Sequence, residues 1–345
     1  MLQDILVEEL SKLADAVYID VRSEHEYSDG TIPGAVNVPI FNNEERAQIG
    51  TIYSQESPKK AMELGLEIAS RKLPVLYKQV EEIAGKKPIL MFCWRGGMRS
   101  KSVAAVLDVM GLHVYRLTGG YKAYRQKVVS FFENECDQHI VVIKGNTGAG
   151  KTELLAGLKE HGYPVIDLEG LSNNRGSVFG HIGLGTQPSQ KQFESMLYDE
   201  IERYKDYSYL IMECESRRIG RVSVPGTVFQ AMQEGTNILL YDTLENRAKR
   251  LCRVYTENVE MMDELQAALE RLKKTIGKVK LSQLNELLSK KAYTEFAQYL
   301  IADYYDHLYG YPNEKSEAFS LSVSHEAPQV ALREVEQFLD ENFAV

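Results

Sequence analysis

Ile140-Val141-Val142-Ile143-Lys144-Gly145-Asn146-Thr147-Gly148-Ala149-Gly150-Lys151-Thr152 is the stretch on which the fold reading turns. Its apolar start reads as a short buried strand, and the residues from Gly145 onward satisfy G-x-x-x-x-G-K-[ST] without deviation. The helical run Glu153-Leu154-Leu155-Ala156-Gly157-Leu158 follows, which completes the strand, loop and helix that a phosphate-binding loop requires. Amides of Gly145, Asn146, Thr147, Gly148, Ala149 and Gly150 are placed to wrap a diphosphate, Lys151 supplies a mobile cation, and Thr152 can hold Mg²⁺. Such a loop recognises diphosphate oxygens and not a nucleoside, so ATP, GTP and a prenyl diphosphate all remain open.

Further strands are expected at Pro164–Asp167, Tyr209–Glu213 and Asn237–Asp242 on one side of the loop. Val17–Val21, Ile89–Phe92 and Val114–Leu117 are expected on the other. Strands alternating with helices argue for parallel sheets whose ligand sites lie at the strand C-terminal ends. A chain of 345 residues exceeds what one core usually supports. The fold class is therefore α/β in two domains, residues 1–132 and 138–345, joined through the polar run Glu133–Gln138, with a helical region at about 255–310. A net charge of -9 excludes a basic polymer-binder, so any nucleic-acid contact must come from a local patch. No basic leader with an apolar core opens the chain and no apolar run is long enough to span a bilayer, from which a soluble, cytoplasmic protein is expected. Cys93, Cys136, Cys214 and Cys252 lie far apart, a pattern of free thiols and not of zinc or disulfides.

A second anion-cradling loop, Cys93-Trp94-Arg95-Gly96-Gly97-Met98-Arg99-Ser100, follows the strand that ends at Phe92. Backbone amides and a helix start near Ser100 can converge on the sulfur, while Arg95 and Arg99 favour a thiolate and can hold an anionic substrate. Together with Asp20-Val21-Arg22-Ser23, Glu26-Tyr27, the run Gly30 to Pro39 and Leu117-Thr118-Gly119-Gly120-Tyr121, the first 130 or so residues resemble a rhodanese domain. The resemblance implies that Cys93 carries sulfur or selenium as a persulfide-type adduct. Cys93 and Arg99 also satisfy the C-x5-R loop of tyrosine phosphatases. Phe92 stands where those enzymes have histidine and no general-acid aspartate presents itself, so chalcogen transfer is favoured.

Around the phosphate loop, Asp167, Glu213 and Glu215 close strands where P-loop folds place carboxylates, and Arg175, Arg217 and Arg218 sit in turns suited to phosphate. Asp242, Arg247 and Arg250 resemble the arginine-bearing helix of small-molecule P-loop kinases. Lys273, Lys274, Lys278, Lys280, Lys290 and Lys291 concentrate charge near Tyr293, Tyr299, Tyr304, Tyr305 and Tyr309, a pattern that suits either folded RNA or plain amphipathic helices. Leucines 265, 269, 272, 281, 284 and 287 are expected to bury the other face of these helices.

Both loops, with Gly50-Thr51-Ile52-Tyr53, Arg175-Gly176-Ser177-Val178-Phe179-Gly180, Gln187-Pro188-Ser189-Gln190 and Glu215-Ser216-Arg217-Arg218-Ile219-Gly220, make nearly the whole chain resemble the tRNA 2-selenouridine synthase family. That resemblance implies a tRNA-modifying enzyme that replaces sulfur by selenium in wobble 2-thiouridine. It further implies selenophosphate as donor, hence a selenophosphate-producing enzyme as a source, and an S-geranylated intermediate from geranyl diphosphate. Cys93, Arg95 and Arg99 would serve selenium, Lys151 and Thr152 the departing diphosphate, and Gly50 belongs loosely to the rhodanese site. Asn174 departs from the family's histidine before Arg-Gly-Ser and receives no catalytic role. Val178, Phe179 and Ile182 are candidates for the wall that takes the geranyl chain. Rival readings are a kinase or phosphatase fusion, and a redox switch in which Cys93 gates nucleotide binding.

Overall fold

The computed structural model describes residues 2–177, 179–256 and 261–343. It divides into two compact units, one of residues 1–135 with 189–198 and one of residues 136–188 with 199–345.

The first unit is built on strands β1 (Gln3–Ile5), β2 (Val17–Asp20), β3 (Val36–Asn37), β4 (Ile89–Phe92) and β5 (Val114–Leu117). They form one parallel sheet in the order β1-β5-β4-β2-β3, with Ile19 opposite Met91 and Met91 opposite Arg116. All of β4 is buried, as a central parallel strand covered on both faces must be. The helix Pro58–Ala84 has Pro58 in its first turn and the Ser57 hydroxyl accepting from the Lys59 amide at 3.2 Å. Ala61, Gly65, Ala69, Leu76, Val80 and Ala84 make its buried stripe. Ile19, Met91, Val103, Leu107 and Val114 complete this core with Leu76 and Val80. Segment 189–198 joins the unit through Gln192, whose Oε1 accepts from the Thr31 amide at 2.8 Å, through the Arg125–Glu194 ion pair, and through Tyr198 against Phe131.

The second unit carries β6 (His139–Lys144), β7 (Val165–Ile166), β8 (Tyr209–Glu213), the short antiparallel pair β9 (Arg218–Ile219) and β10 (Val222–Ser223), β11 (Thr236–Tyr241) and β12 (Leu321–Ser324). Its parallel sheet runs β12-β11-β6-β8-β7. The chain leaves β6 toward β7 on one side, while β11 and β12 extend the other edge, so the sheet changes winding direction beside β6, where α/β folds bind ligands. Val141, Ile143, Leu154, Leu158, Ile211, Leu240 and Val335 pack its core.

A helical layer has a core of its own, with Leu265, Leu269, Leu272, Leu281 and Leu284 buried and Leu287 packed against them, as the leucine spacing predicts. The stretch Met261–Ser289 is broken at Gly277, where φ is +80° and ψ 165°. No helix among the described residues is long and apolar enough to cross a membrane.

Candidate functional site

In the first unit, β4 delivers Cys93 to the C-terminal edge of the sheet. The residue is buried, and its Sγ lies 3.2 Å from the Ser100 hydroxyl, itself fully buried on the helix Met98–Val109 that Gly97 opens. The loop is clamped from behind. Amides of Tyr121 and Lys122 donate to the Cys93 and Trp94 carbonyls at 2.9 Å each, and Arg116 Nη1 donates to the Gly96 carbonyl at 2.7 Å. Gly120 is obligatory here: its φ is +59°, and a Cβ would fall 2.1 Å from the Cys93 carbonyl oxygen.

The two loop arginines differ in their surroundings. Arg99 is forked onto Glu26 at 2.6 and 3.1 Å, with Arg46 also on that carboxylate at 3.4 Å. Burial pushes the Glu26 carboxyl up, but hydrogen bonding and charge from Arg99, with Arg46 added, outweigh it and hold it below the usual range. Arg95 is exposed with no hydrogen-bond or ion-pair partner among the described residues, so it is the loop cation available to an anion. Met98 is exposed on the loop's outer side. Gly50 lies on the helix Asn43–Gln55, and its connection with the site runs through Arg46 one turn earlier. Deeper in, Asp20 takes Arg22 and Thr31, and Arg22 stacks over Tyr121 at 4.1 Å.

In the second unit, Gly145 to Thr152 form the expected turn between β6 and the helix Lys151–Glu160, with Lys151 Nζ donating to the Gly145 carbonyl at 3.1 Å. Asn146 points away from the ligand side, donating to the Tyr311 carbonyl at 2.7 Å and to Asn313 at 2.9 Å. Gly150, at φ +98°, accepts the buried His325 ring so closely that a Cβ would lie 2.4 Å from its Nδ1. Burial first, and Arg250 second, push that imidazole below its ordinary pKa.

The loop opens on a cavity of about 270 Å³ lined by Thr147 to Glu153, Glu169, Arg175, Ser177, Cys214, Glu215, Arg250, Leu251, Arg253, Tyr305 and Tyr309. Three carboxyls gather at or behind it. Burial raises Glu213, aided by the charges of Asp167 and Glu169; its Oε1 accepts from the Glu169 amide at 2.6 Å and its Oε2 has no hydrogen-bond partner among the described residues. Burial and the Glu169 charge push Glu215 up to about 8 against the pull of Lys151, and Glu169 is raised as well, so the hydrogen-bonded Glu169–Glu215 pair retains a proton near neutrality. Among the described residues no group of three or more His, Cys, Asp or Glu side chains is arranged to hold a metal ion.

The cavity thus brings together Lys151, Thr152, Arg175 and Glu215, with Glu213 behind them. Arg217 and Arg218 are exposed and line no part of it. Asp167 caps the short helix Leu168–Ser172 through the Gly170 amide at 2.7 Å. Arg247 and Arg250 act on the loop's carbonyls, donating to Thr147 at 3.0 Å and to Gly148 at 3.0 Å. Asn174 is buried, and its side-chain oxygen accepts from the Gly176 amide at 3.0 Å.

Phe179 and Ile182 do not line the cavity, because both are fully buried in the helical core with Leu265 and Leu269; Val178 lies outside the described residues. Of the lysine cluster, Lys280 pairs with Asp303, Lys290 with Glu286 and Lys273 with Glu270, while Lys274, Lys278 and Lys291 are exposed without such a partner among the described residues. Tyr304 and Tyr305 are buried among the helices and not displayed beside these lysines. Glu169, His325 and Leu251 are site residues that sequence patterning does not single out. For Glu169 the only cue is its position two residues beyond Asp167 at the end of a strand.

A family model described as the tRNA 2-selenouridine synthase AAA domain matches residues 138–341, and a rhodanese-like domain model matches residues 4–127. Proteins named tRNA 2-selenouridine synthase match along most of the chain. The one from Bdellovibrio bacteriovorus is 35% identical over 292 residues, covering 81% of this chain and 73% of its own. That from Nitrosomonas eutropha is 32% identical over 346 residues, covering 86% and 88%. That from Pseudomonas syringae is 30% identical over 339 residues, covering 89% and 91%. With the synthase domain model matching more than half of the chain and relatives of 30–35% identity matched over most of their own length, the chain belongs to the tRNA 2-selenouridine synthase family.

Proposed function

We propose that the protein replaces sulfur by selenium in the wobble 2-thiouridine of tRNA through an S-geranyl intermediate, taking geranyl diphosphate and selenophosphate as substrates. The make-up of the P-loop cavity carries the reading. Its floor is a diphosphate cradle with Lys151, and its wall includes Leu251, Tyr305 and Tyr309, surfaces that suit an apolar chain attached to a diphosphate.

In the first step the C1–O bond of the donor breaks with its electron pair leaving on diphosphate, the thiocarbonyl sulfur takes C1, and the N3 proton is lost. Lys151 and the loop amides oppose the charge that grows on the leaving group. Thr152 would hold Mg²⁺ against that diphosphate, and the ion would supply further neutralisation. Alkylation turns a poor leaving group into a thioether-like one and makes C2 more electrophilic. The selenium of selenophosphate, its anion held at Arg95 and directed by the Cys93 loop, then attacks C2 and expels geranylthiolate, which takes up a proton; water cleaves the Se–P bond of the adduct, leaving 2-selenouridine and inorganic phosphate. Arg99, already committed to Glu26, adds its charge to the loop. The exposed Lys274, Lys278 and Lys291 would meet tRNA phosphates.

The test is nucleoside mass spectrometry of tRNA bearing wobble 2-thiouridine after incubation with geranyl diphosphate, Mg²⁺ and selenophosphate. Wild type should yield 2-selenouridine, Cys93→Ala should accumulate the geranylated nucleoside, and Lys151→Ala should yield neither. Unchanged tRNA with folded wild-type protein would overturn the reading and return the P-loop to nucleotide chemistry.

A further inference from the structure

Beside the cysteine loop, outside everything assigned to it above, lies a groove of about 250 Å³ lined by Trp94, Lys122, Arg125, Gln126, Val129, Ser130 and Glu133. We propose that this groove binds a single-stranded nucleotide of the tRNA substrate next to the one being modified, with its base stacked on the Trp94 indole and its phosphate held by Lys122 and Arg95. The inference rests on the reading that the enzyme acts on tRNA.

Four observations carry it. Trp94 is half-buried, fixed from one side by Tyr121 with ring centroids 5.8 Å apart, and forms part of the groove with the rest of its surface. A ring held this way loses little entropy when a base covers it, and base–aromatic stacking tolerates every base because each has a π-face. Next, the side chains of Lys122 and Gln126 are exposed with no hydrogen-bond or ion-pair partner among the described residues, and that of Arg95 beside Trp94 is equally unpaired. Many other surface cations of this acidic chain, Lys72, Arg116 and Lys191 among them, already hold carboxylates. Third, Arg125 lines the groove and is held in place by its ion pair with Glu194, which adds positive charge beside the base and ribose. Glu133 lines the groove eleven residues beyond Lys122 on the helix Gly120–Asn134, so the anionic phosphate is favoured at the Lys122 end.

Position is the fourth. Trp94 follows Cys93 directly, and the Trp94 carbonyl accepts from the Lys122 amide at 2.9 Å, so indole and lysine are locked to the loop that presents the sulfur. Adjacent Cα atoms are ~3.8 Å apart, so the residue that bears the indole and the residue that bears the sulfur are immediate neighbours on the loop. A neighbour held there would splay the wobble uridine from the anticodon stack toward the cysteine, as single-stranded recognition usually does.

The chain has one tryptophan, so its fluorescence reports on this groove alone. A fluorescently labelled anticodon stem-loop RNA is titrated into full-length protein, with RNA anisotropy and tryptophan emission followed together. Binding should quench the Trp94 emission. Trp94→Leu should weaken RNA affinity roughly ten-fold or more, Trp94→Phe should restore most of it, and Lys122→Ala should lower the log–log salt slope by about one. The far-ultraviolet circular dichroism spectrum and the melting transitions of both units should be unchanged in all three, which establishes that they fold. RNA bound by wild type with unaltered emission, or bound equally by Trp94→Leu, overturns the groove while leaving the transferase reading intact. Failure of wild type to bind the RNA at all overturns both.

Discussion

Glu215 shows how a single residue couples the site to stability. Its carboxyl sits in the P-loop cavity next to Glu169, and burial with the Glu169 charge pushes it up to about 8 although Lys151 pulls the other way. An unfolded glutamate releases its proton near its ordinary value of 4.5, whereas the folded one keeps it to about 8. The stabilising contribution is therefore complete below the unfolded value and is lost as pH rises through the folded one. Glu215→Gln carries no such proton, so the melting temperature of wild type should fall relative to that of the variant between pH ~5 and ~9. Parallel melting curves across that range would show that Glu215 titrates as it would in water. Glu213 and Glu215 stand out in the sequence as strand-end carboxylates, but the proton shared with Glu169 does not, because it depends on a residue 46 positions earlier in the chain.

At the scale of elements, the cavity depends on two helical segments that the P-loop sequence does not announce. The π-helical turn Ile301–Tyr305 and the single turn Asp306–Tyr309 set Tyr305 and Tyr309 in its wall, and such widened turns are frequent at functional sites. Arg247, fully buried on the helix Leu244–Thr256, ties these pieces together, reaching Asp306 with both terminal nitrogens, Asn313 at 2.7 Å and the Thr147 carbonyl at 3.0 Å. Asp306→Ala would leave a buried guanidinium short of its countercharge. It should cost about 3 kcal/mol, since removal of one partner from a buried ion pair is far worse than loss of the pair's net worth. Urea unfolding followed by circular dichroism measures this, and pyrophosphate affinity should weaken with it because Thr147 loses its brace. The resemblance of Arg247 and Arg250 to a ligand-gripping helix describes their place; in the folded chain they spend their donors on the loop's own carbonyls and on Asp306, Asn313 and Asp242.

For the whole molecule, two compact units that share no core predict separable unfolding. The only tryptophan lies in the first unit and the phosphate loop in the second. Pyrophosphate at about 100 times its Kd should stabilise the second unit by about 2.7 kcal/mol, raising the transition seen by circular dichroism while the Trp94 transition stays in place. An equal shift in both signals would mean that the units unfold as one. The seven strands expected from apolar runs are all present, and so are both loops at strand ends. The edge strands Gln3–Ile5 and Leu321–Ser324 escape patterning because they are short and only partly apolar. That Gln192, Glu194 and Tyr198 belong with the first unit is equally invisible, since a contact across more than sixty residues leaves no local trace. The two loops, their strand-loop-helix settings and hence the family are legible in the linear order of residues, because cradling an anion needs glycines and cations at fixed short spacing. Tertiary structure alone decided which side chains share a cavity. Burial, a shared proton, the choice between Arg95 and Arg99 as the free cation, and the withdrawal of Phe179 and Ile182 into the core all depend on neighbours that folding brings from distant positions.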